Sequence, residues 1–348
     1  MRIGILGLKY SGKTTLFNAV TGAGAPVGQG GVEPHRAVGK VPDPRLDRLA
    51  AMFRPRRTVH ASVEWVDIPG FDPGGGAGGE AVRFLEHARK VDALAQVVRC
   101  FAGGLAPPDP AGEIESVALE LTVADLQVVE NRLERLASDR KKKGKVDQPL
   151  EPPLLERCRE QLEQGRPLRD LEFNADERKL LSGFSLLTLK PLLLVLNGDE
   201  DGVPEAALAA ARATGAEVVD LCARLEAEIA ELAPEERDEF LADLGVTEPA
   251  ADRLVRAAYR ALGLQSFFTV GEDECRAWTI RRGTLAPQAA GVIHSDMEGG
   301  FIRAETVSYD DLVACGGLAE ARKANKVRLE GKHYAVQDGD ILNIRFSV

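Results

Sequence analysis

The sequence predicts an α/β fold: a parallel sheet flanked by helices, with a helical hairpin inserted into it and a small β-rich module following. Three observations carry that expectation. Short apolar runs ending in glycine or a turn alternate with helical stretches in both the first hundred residues and the region after 186. Between them lies a long apolar stripe at helical spacing. From about Ser266 the texture changes to short alternating strands joined by turns.

Taken in order, "RIGILGL" is an Ile/Leu-rich run ending at Gly7, the pattern of a buried parallel strand. A Gly- and Lys-containing turn leads into "TTLFNAVTG", which starts a helix. Residues 22–31, "GAGAPVGQGG", form a loop with five glycines. "HASVEWVDIPG" alternates, turns apolar and ends as a strand at Gly70, before a second glycine-rich loop, "DPGGGAGGE" (72–80). "ALAQVVRCF" and "PLLLVLN" supply further strands. From Leu119, apolar residues recur at Val123, Leu126, Val129, Leu133 and Leu136, one stripe on a long helix ending in "DRKKKGK". After "EPP" (151–153), Leu155, Cys158 and Leu162 share a face, so the two stretches read as an antiparallel hairpin. In the last module, "SFFTVGEDECRAWTIRRGT" and "HYAVQDGDILNIRF" read as strands, with "DDLVACGG" and "LAEARKANK" helical between them.

Composition narrows the function classes. Over 348 residues, 44 Lys+Arg against 54 Asp+Glu give a net charge of −10, so no global positive field recruits nucleic acid or acidic membrane. A nucleic-acid contact would need a local patch. The five cysteines are scattered without C-x-x-C, which fits a reducing compartment and argues against a disulfide framework or zinc site. No run of about 18 apolar residues exists. The expected protein is soluble and cytoplasmic, with no membrane partner.

The chemistry begins at "GLKYSGKT", Gly7–Thr14, which satisfies G-x-x-x-x-G-K-[ST] between a strand and a helix. Backbone N–H groups around Lys9, Tyr10, Ser11, Gly12, Lys13, Thr14 and Thr15 would converge on phosphates at the helix amino end. Lys13 would reach the β- and γ-phosphates and Thr14 would ligate Mg²⁺. In "VEWVDIPG", Asp67 would hold Mg²⁺ through water and the Gly70 N–H could touch a γ-phosphate, with the glycine loop behind it responsive to nucleotide. "NGDE" at 197–200 follows a later strand. It is either an ordinary Asn-Gly turn or a base-reading site, since open α/β sheets place ligand contacts at strand carboxyl ends.

These residues, with "VEPHRAVGKVPDPRLDRLA", "RAWTIRRGTLAPQAAGVIHSDMEGGFIRAE" and "LEGKHYAVQDGDILNIRF", resemble the YchF / Obg-like ATPase family of P-loop NTPases nearly end to end. The resemblance implies a nucleotide-binding domain in two parts (1–115 and 186–264), an inserted helical coiled-coil domain (116–185) and a C-terminal TGS domain of β-grasp fold (265–348). It implies ATP as ligand and substrate with Mg²⁺, GTP binding more weakly. Asn197 and Glu200 fill the family's N-x-x-E pattern; Gly198 stands where guanine readers carry Lys; Cys222 and Ala223 would contact the base through the backbone. It also implies ribosome or RNA–protein partners for the TGS and coiled-coil parts. The candidate patches are Arg276, Arg281, Arg282 and Arg303, and Lys141 to Lys145, on a monomer.

Several positions depart from the family pattern. Lys9-Tyr10 replaces Pro-Asn, Gly31 falls where a threonine would complete the Mg²⁺ shell, and Gln96 replaces a water-positioning His. Phe71 stands at the Gln position of Ras-type enzymes, as is usual in the family. The catalytic set is therefore Lys13, Asp67, Gly70 and Gln96. Two readings stay open: a slow ATPase switch, or a nucleotide-responsive binding module without significant hydrolysis. A GTPase is the alternative within the enzyme class.

Overall fold

A computed structural model describes residues 1–28, 33–72, 79–103, 107–143 and 148–347. Its chain packs as two units, residues Met1–Ala37 with Glu64–Leu254, and Val38–Val63 with Val255–Val348. The first half contributes β1 (Arg2–Leu6), α1 (Lys13–Thr21), β2 (His35–Lys40), α2 (Pro44–Phe53), β3 (Arg57–Val59), β4 (Ser62–Asp67), α3 (Gly79–Arg89), β5 (Ala93–Arg99) and α4 (Pro110–Lys143). Then follow α5 (Glu151–Glu163), α6 (Ala175–Leu181), β6 (Leu192–Asn197), α7 (Glu205–Ala213), β7 (Glu217–Leu221), α8 (Ala223–Glu231), α9 (Pro234–Asp243) and α10 (Ala250–Ala261). The remainder is β8 (Leu264–Thr269), β9 (Glu274–Arg281), α11 (Ala286–Ile293), α12 (Ser295–Gly299), β10 (Phe301–Ser308), α13 (Tyr309–Cys315), α14 (Leu318–Lys323), β11 (Arg328–Glu330) and β12 (Asp340–Phe346).

The first unit is built on a sheet of order β2-β4-β1-β5-β6-β7. All four pairings from β4 to β7 are parallel. Helices cover both faces, which is why β1 and β6 read as unbroken apolar runs: Ile3, Ile5, Leu6 and Leu193 to Leu196 are fully buried. The order places the carboxyl ends of β1, β4, β5 and β6 side by side, and every expected site residue but one follows or ends one of these strands or β7. Gln96 is the exception, inside β5.

The helical insertion departs from the predicted stripe. The spacing from Leu119 predicts one buried face, yet Leu119 and Val123 are 64% and 53% exposed. Helix α4 begins at Pro110 and serves two cores: the predicted stripe is packed from Leu126 to Leu136, and other positions are buried before it. Val117 and Leu121 pack with Phe71, Phe84 and Leu94. Val129 and Leu136 pack with Leu154, Leu155, Cys158 and Leu162 of α5, the return arm of the hairpin, which Arg132 and Glu151 pair across at 2.7 Å. Between the cores the buried position is Asp125, fully inaccessible. Its carboxylate accepts from the N–H of Leu187 (2.9 Å), the N–H of Thr188 (2.7 Å) and the Thr188 hydroxyl (2.8 Å). A carboxylate reads as surface in an apolar-periodicity search, so the buried positions Val117, Leu121 and Asp125 do not register together and the stripe is carried back onto the exposed Leu119 and Val123.

The second unit is a sheet of order β11-β10-β12-β8-β9-β3. Hairpin β8–β9 is antiparallel, β12 pairs parallel to β8, and α11 lays Ala286, Ala289 and Ala290 against Phe267, Ile280, Phe301 and Leu342. This mixed sheet gripping a helix is the β-grasp arrangement. Three features differ from expectation. The strand in "HYAVQDGDILNIRF" starts only at Asp340, "FIRAETVS" forms the unpredicted β10, and β3 joins the same sheet by pairing parallel to β9. β9 and β10 are separated by β12 and β8, so Arg276 and Arg281 do not form one cluster with Arg303. Arg276 lies over the Trp278 ring at 4.0 Å.

Asp125 is the buried polar group on which the insertion's geometry depends, so Asp125→Ala is expected to lower stability by ~3–5 kcal/mol by stranding its donors. The check is a urea unfolding curve, where an unchanged midpoint would refute this role for the carboxylate.

Candidate functional site

The loop between β1 and α1 is shaped by close approach. Gly12, which precedes α1, has φ +92, and a Cβ there would collide with the Asn197 side-chain nitrogen. Asn197 ends β6 and is 4% exposed. Its amide Nδ2 donates to the Ser11 carbonyl (2.9 Å), while its Oδ1 accepts from the Ala223 N–H (2.9 Å). One side chain thus ties together the glycine loop, the end of β6 and the start of α8. The amino end of α1 has no side-chain cap, leaving first-turn N–H groups unsatisfied within the helix and suited to an anion.

Lys13 opens α1 and is 7% exposed; its ammonium donates to the Leu8 carbonyl at 2.6 Å. Burial pushes its pKa down to about 8, against the attraction of Asp67, Glu113 and Asp72. The Thr14 hydroxyl donates to Asp67 Oδ2 at 2.7 Å. Burial raises the Asp67 carboxyl above the usual range, opposed by Thr14 and Lys13. Its other oxygen, Oδ1, is buried and has no hydrogen-bond partner. Gly70 closes the group, since a Cβ there would lie 2.6 Å from Lys13 Nζ and 2.9 Å from the Lys9 nitrogen. Lys9 pairs with Asp72 and Glu80, each at 2.9 Å. Tyr10 is 80% exposed at φ 62, a left-handed conformation costly for a bulky side chain.

Around these groups lies a cleft of about 580 Å³, within the range of small-molecule and cofactor sites. Lys9, Tyr10, Gly12, Lys13, Thr14, Thr15, Asp67 and Gly70 line it, whereas the fully buried Ser11 does not, nor do Asn197, Glu200, Cys222 and Ala223. His35, Arg83 and Phe101 also line it, and come from β2, α3 and the end of β5. No spacing rule connects those three to the motif, and only the strand order brings them in.

The second expected cluster also assembles. Asn197, Cys222 and Ala223 meet where Cys222 precedes α8, and Glu200 forms an ion pair with Arg224 in the first turn of that helix. Gly198 differs from a site merely lacking a lysine. A Cβ there would lie 2.5 Å from the Gly202 carbonyl oxygen, so the turn closes on the position itself.

Gln96 does not join the cleft. It is 2% exposed in mid-strand and its side-chain N–H donates to the Glu113 carbonyl at 3.2 Å, on the side of α4. Its place just before "VVRCF" puts it on the strand rather than at the strand's end, so it offers no amide to the cleft. Phe71 is buried, its ring 4.6 Å from that of Phe84. Gly31 lies outside the described residues, as do 73–78 of the second glycine loop and Gly144 to Asp147 of the lysine-rich turn.

A glycine loop leading from the first strand of a parallel sheet into an uncapped helix, with Lys13, Thr14 and Asp67 at one point, defines a P-loop nucleotide-binding protein. The comparisons narrow the class. The profile of YchF-GTPase_C, described as "Protein of unknown function (DUF933)", matches residues 264–347. "Ribosome-binding ATPase YchF" of Bacillus subtilis (strain 168) is 44% identical over 362 residues, 99% of each chain. "Obg-like ATPase 1" of Oryza sativa subsp. japonica is 33% identical over 365 residues, spanning 100% of this chain and 92% of that one. The solved structure of the Schizosaccharomyces pombe YchF GTPase superposes with a TM-score of 0.86 at 30% identity, covering 99% of this chain and 97% of that one. The chain belongs to the YchF family.

Because Asn197 satisfies two buried backbone groups, Asn197→Ala is expected to destabilise the protein by ~2–4 kcal/mol, about one unmade hydrogen bond at each end. Hydrogen exchange should then accelerate at the Ala223 amide. Unchanged protection there would show that the strap is dispensable.

Proposed function

We propose that the chain is an ATP-binding P-loop protein that hydrolyses ATP slowly, acts as a nucleotide-dependent switch and contacts the ribosome. The observation that carries the reading is the convergence of Lys13, Thr14, Asp67 and Gly70 on one cleft. Relatives matched over nearly their whole length and named Ribosome-binding ATPase and Obg-like ATPase support it.

On this reading the N–H groups at the start of α1 and the Lys13 ammonium bind the phosphates, and Gly70 leaves room for the terminal one. The Thr14 hydroxyl and Asp67 carboxylate are hard oxygen donors, and the unpartnered buried Asp67 Oδ1 fits a Mg²⁺ site that takes most of its ligands from phosphate and water. When bound, Mg²⁺ supplies charge neutralisation at the phosphates. Asn197, Glu200 and the backbone at Cys222 and Ala223 form the base site, with ATP favoured over GTP. With Phe71 buried and Gln96 engaged elsewhere, neither presents a group that orients a nucleophilic water, which favours slow turnover.

Ribosome contact falls to the hairpin (coiled-coil domain, 116–185), inserted between the two nucleotide-binding parts 1–115 and 186–264, and to the TGS β-grasp domain (265–348) that follows them. The chain acts as a monomer in the cytoplasm. No helix among the described residues is long and apolar enough to cross a membrane.

Calorimetric titration in Mg²⁺ followed by single-turnover hydrolysis tests this reading. ATP should bind more tightly than GTP by ~1–2 kcal/mol, the scale of one mismatched polar contact, and Lys13→Ala should abolish binding of both. Intrinsic hydrolysis should be on the order of 10⁻⁴–10⁻³ s⁻¹. Retained ATP affinity in Lys13→Ala, or preference for GTP, would overturn the assignment.

A second prediction follows from Lys13. Its pKa of about 8 in the folded protein lies below its ordinary 10.5, so the unfolded chain holds more protons between those values and the group's unfavourable contribution is relieved as pH rises through that window. An anion bound at Lys13 raises that pKa again. Nucleotide binding at pH 9 should therefore take up protons, read from calorimetry in buffers of different ionisation enthalpy. Equal heats in all buffers would contradict it.

A further inference from the structure

We propose that Lys9 is a specificity-determining charge that distinguishes nucleoside triphosphate from diphosphate by exchanging its two carboxylate partners for the terminal phosphate. The proposal rests on the cleft being a nucleotide site and goes beyond that reading by assigning a role to a residue the phosphate-loop motif leaves undefined.

Three observations place it. Lys9 lines the cleft, and its backbone nitrogen and the Lys13 ammonium lie 2.9 Å and 2.6 Å from the same point, the missing side chain of Gly70. Its ammonium is held in a part-exposed ion-pair cluster, unlike the buried Lys13: the Lys9 side chain is 33% exposed, Asp72 57% and Glu80 49%. Finally, Asp72 follows Gly70 by two residues and Glu80 lies in the first turn of α3, so both partners follow Gly70 in the sequence.

Exposed ion pairs of this kind contribute little in water and rearrange readily. A terminal phosphate concentrates on one group about the charge that Asp72 and Glu80 carry between them and accepts strong charge-assisted hydrogen bonds. A diphosphate, lacking that group, leaves Lys9 with Asp72 and Glu80. The same exchange would free Asp72 and Glu80 only when the triphosphate is bound.

Binding of ATPγS and of ADP in Mg²⁺ is measured for the full chain and for Lys9→Met, which keeps the stem and removes the charge. The triphosphate should weaken about tenfold more than the diphosphate, the scale of one charge-assisted contact, and Lys9→Arg should restore most of the ratio. Asp72→Asn combined with Glu80→Gln removes the competing partners and should tighten ATPγS by about threefold, with a smaller effect on ADP. An unchanged ratio in Lys9→Met, or no gain in the double variant, overturns the exchange. Wild-type protein that binds neither nucleotide overturns the nucleotide reading itself rather than the role of Lys9.

Discussion

A lysine ammonium buried at the mouth of a parallel sheet is the constraint on which the site depends. Desolvation of Lys13 outweighs the pull of the carboxylates around it, and its pKa falls accordingly. Such a group is tolerated only where rigid neighbours hold it, and the fold supplies them. Leu8 gives a carbonyl, Gly70 gives space, and Asp67 arrives on β4 beside β1, with Ile5 and Asp67 in register. Strand order therefore precedes chemistry here, since two segments distant in sequence must end at the same level before these contacts can form.

The lysine end of the cleft was legible in the sequence because its spacing is local. Eight consecutive residues from Gly7 to Thr14 specify strand end, loop and helix start, and Asp67-Ile68-Pro69-Gly70 does the same for the second strand. Gln96 was not legible. Its sequence neighbours fix it on β5, but whether a mid-strand side chain faces the site or α4 depends on a helix that begins at Pro110, and the Glu113 carbonyl claims its amide. His35, Arg83 and Phe101 escaped for the complementary reason: each is alone in its own segment.

The same contrast explains the fold. Buried parallel strands announce themselves as apolar runs, so β1, β4, β5 and β6 were readable. Helix α4 was readable as a helix, and in its facing from Leu126 on but not before it, since Asp125 is the buried residue between its two cores and a charged residue carries no apolar signal. The three residues of β3 carry too little pattern to be read as a strand, and their pairing with β9 across more than two hundred residues of sequence has no local signature at all.

On the proposed reading, this physics also bears on how the base is chosen. Asn197 engages both ends of its amide with Ser11 and Ala223, leaving one Nδ2 N–H and one Oδ1 lone pair for any ligand. Its first duty is to hold the loops in register. Gly198 cannot gain a side chain without pushing away the Gly202 carbonyl, because the Asp199–Gly202 turn folds back over it. Selectivity against guanine is then a property of backbone shape more than of a single exchanged residue. A lysine at position 198 would have to rebuild the turn before it could pack on a base, and Glu200, already tied to Arg224, would move with it. Nucleotide preference and the geometry of the strand end are coupled through one short turn.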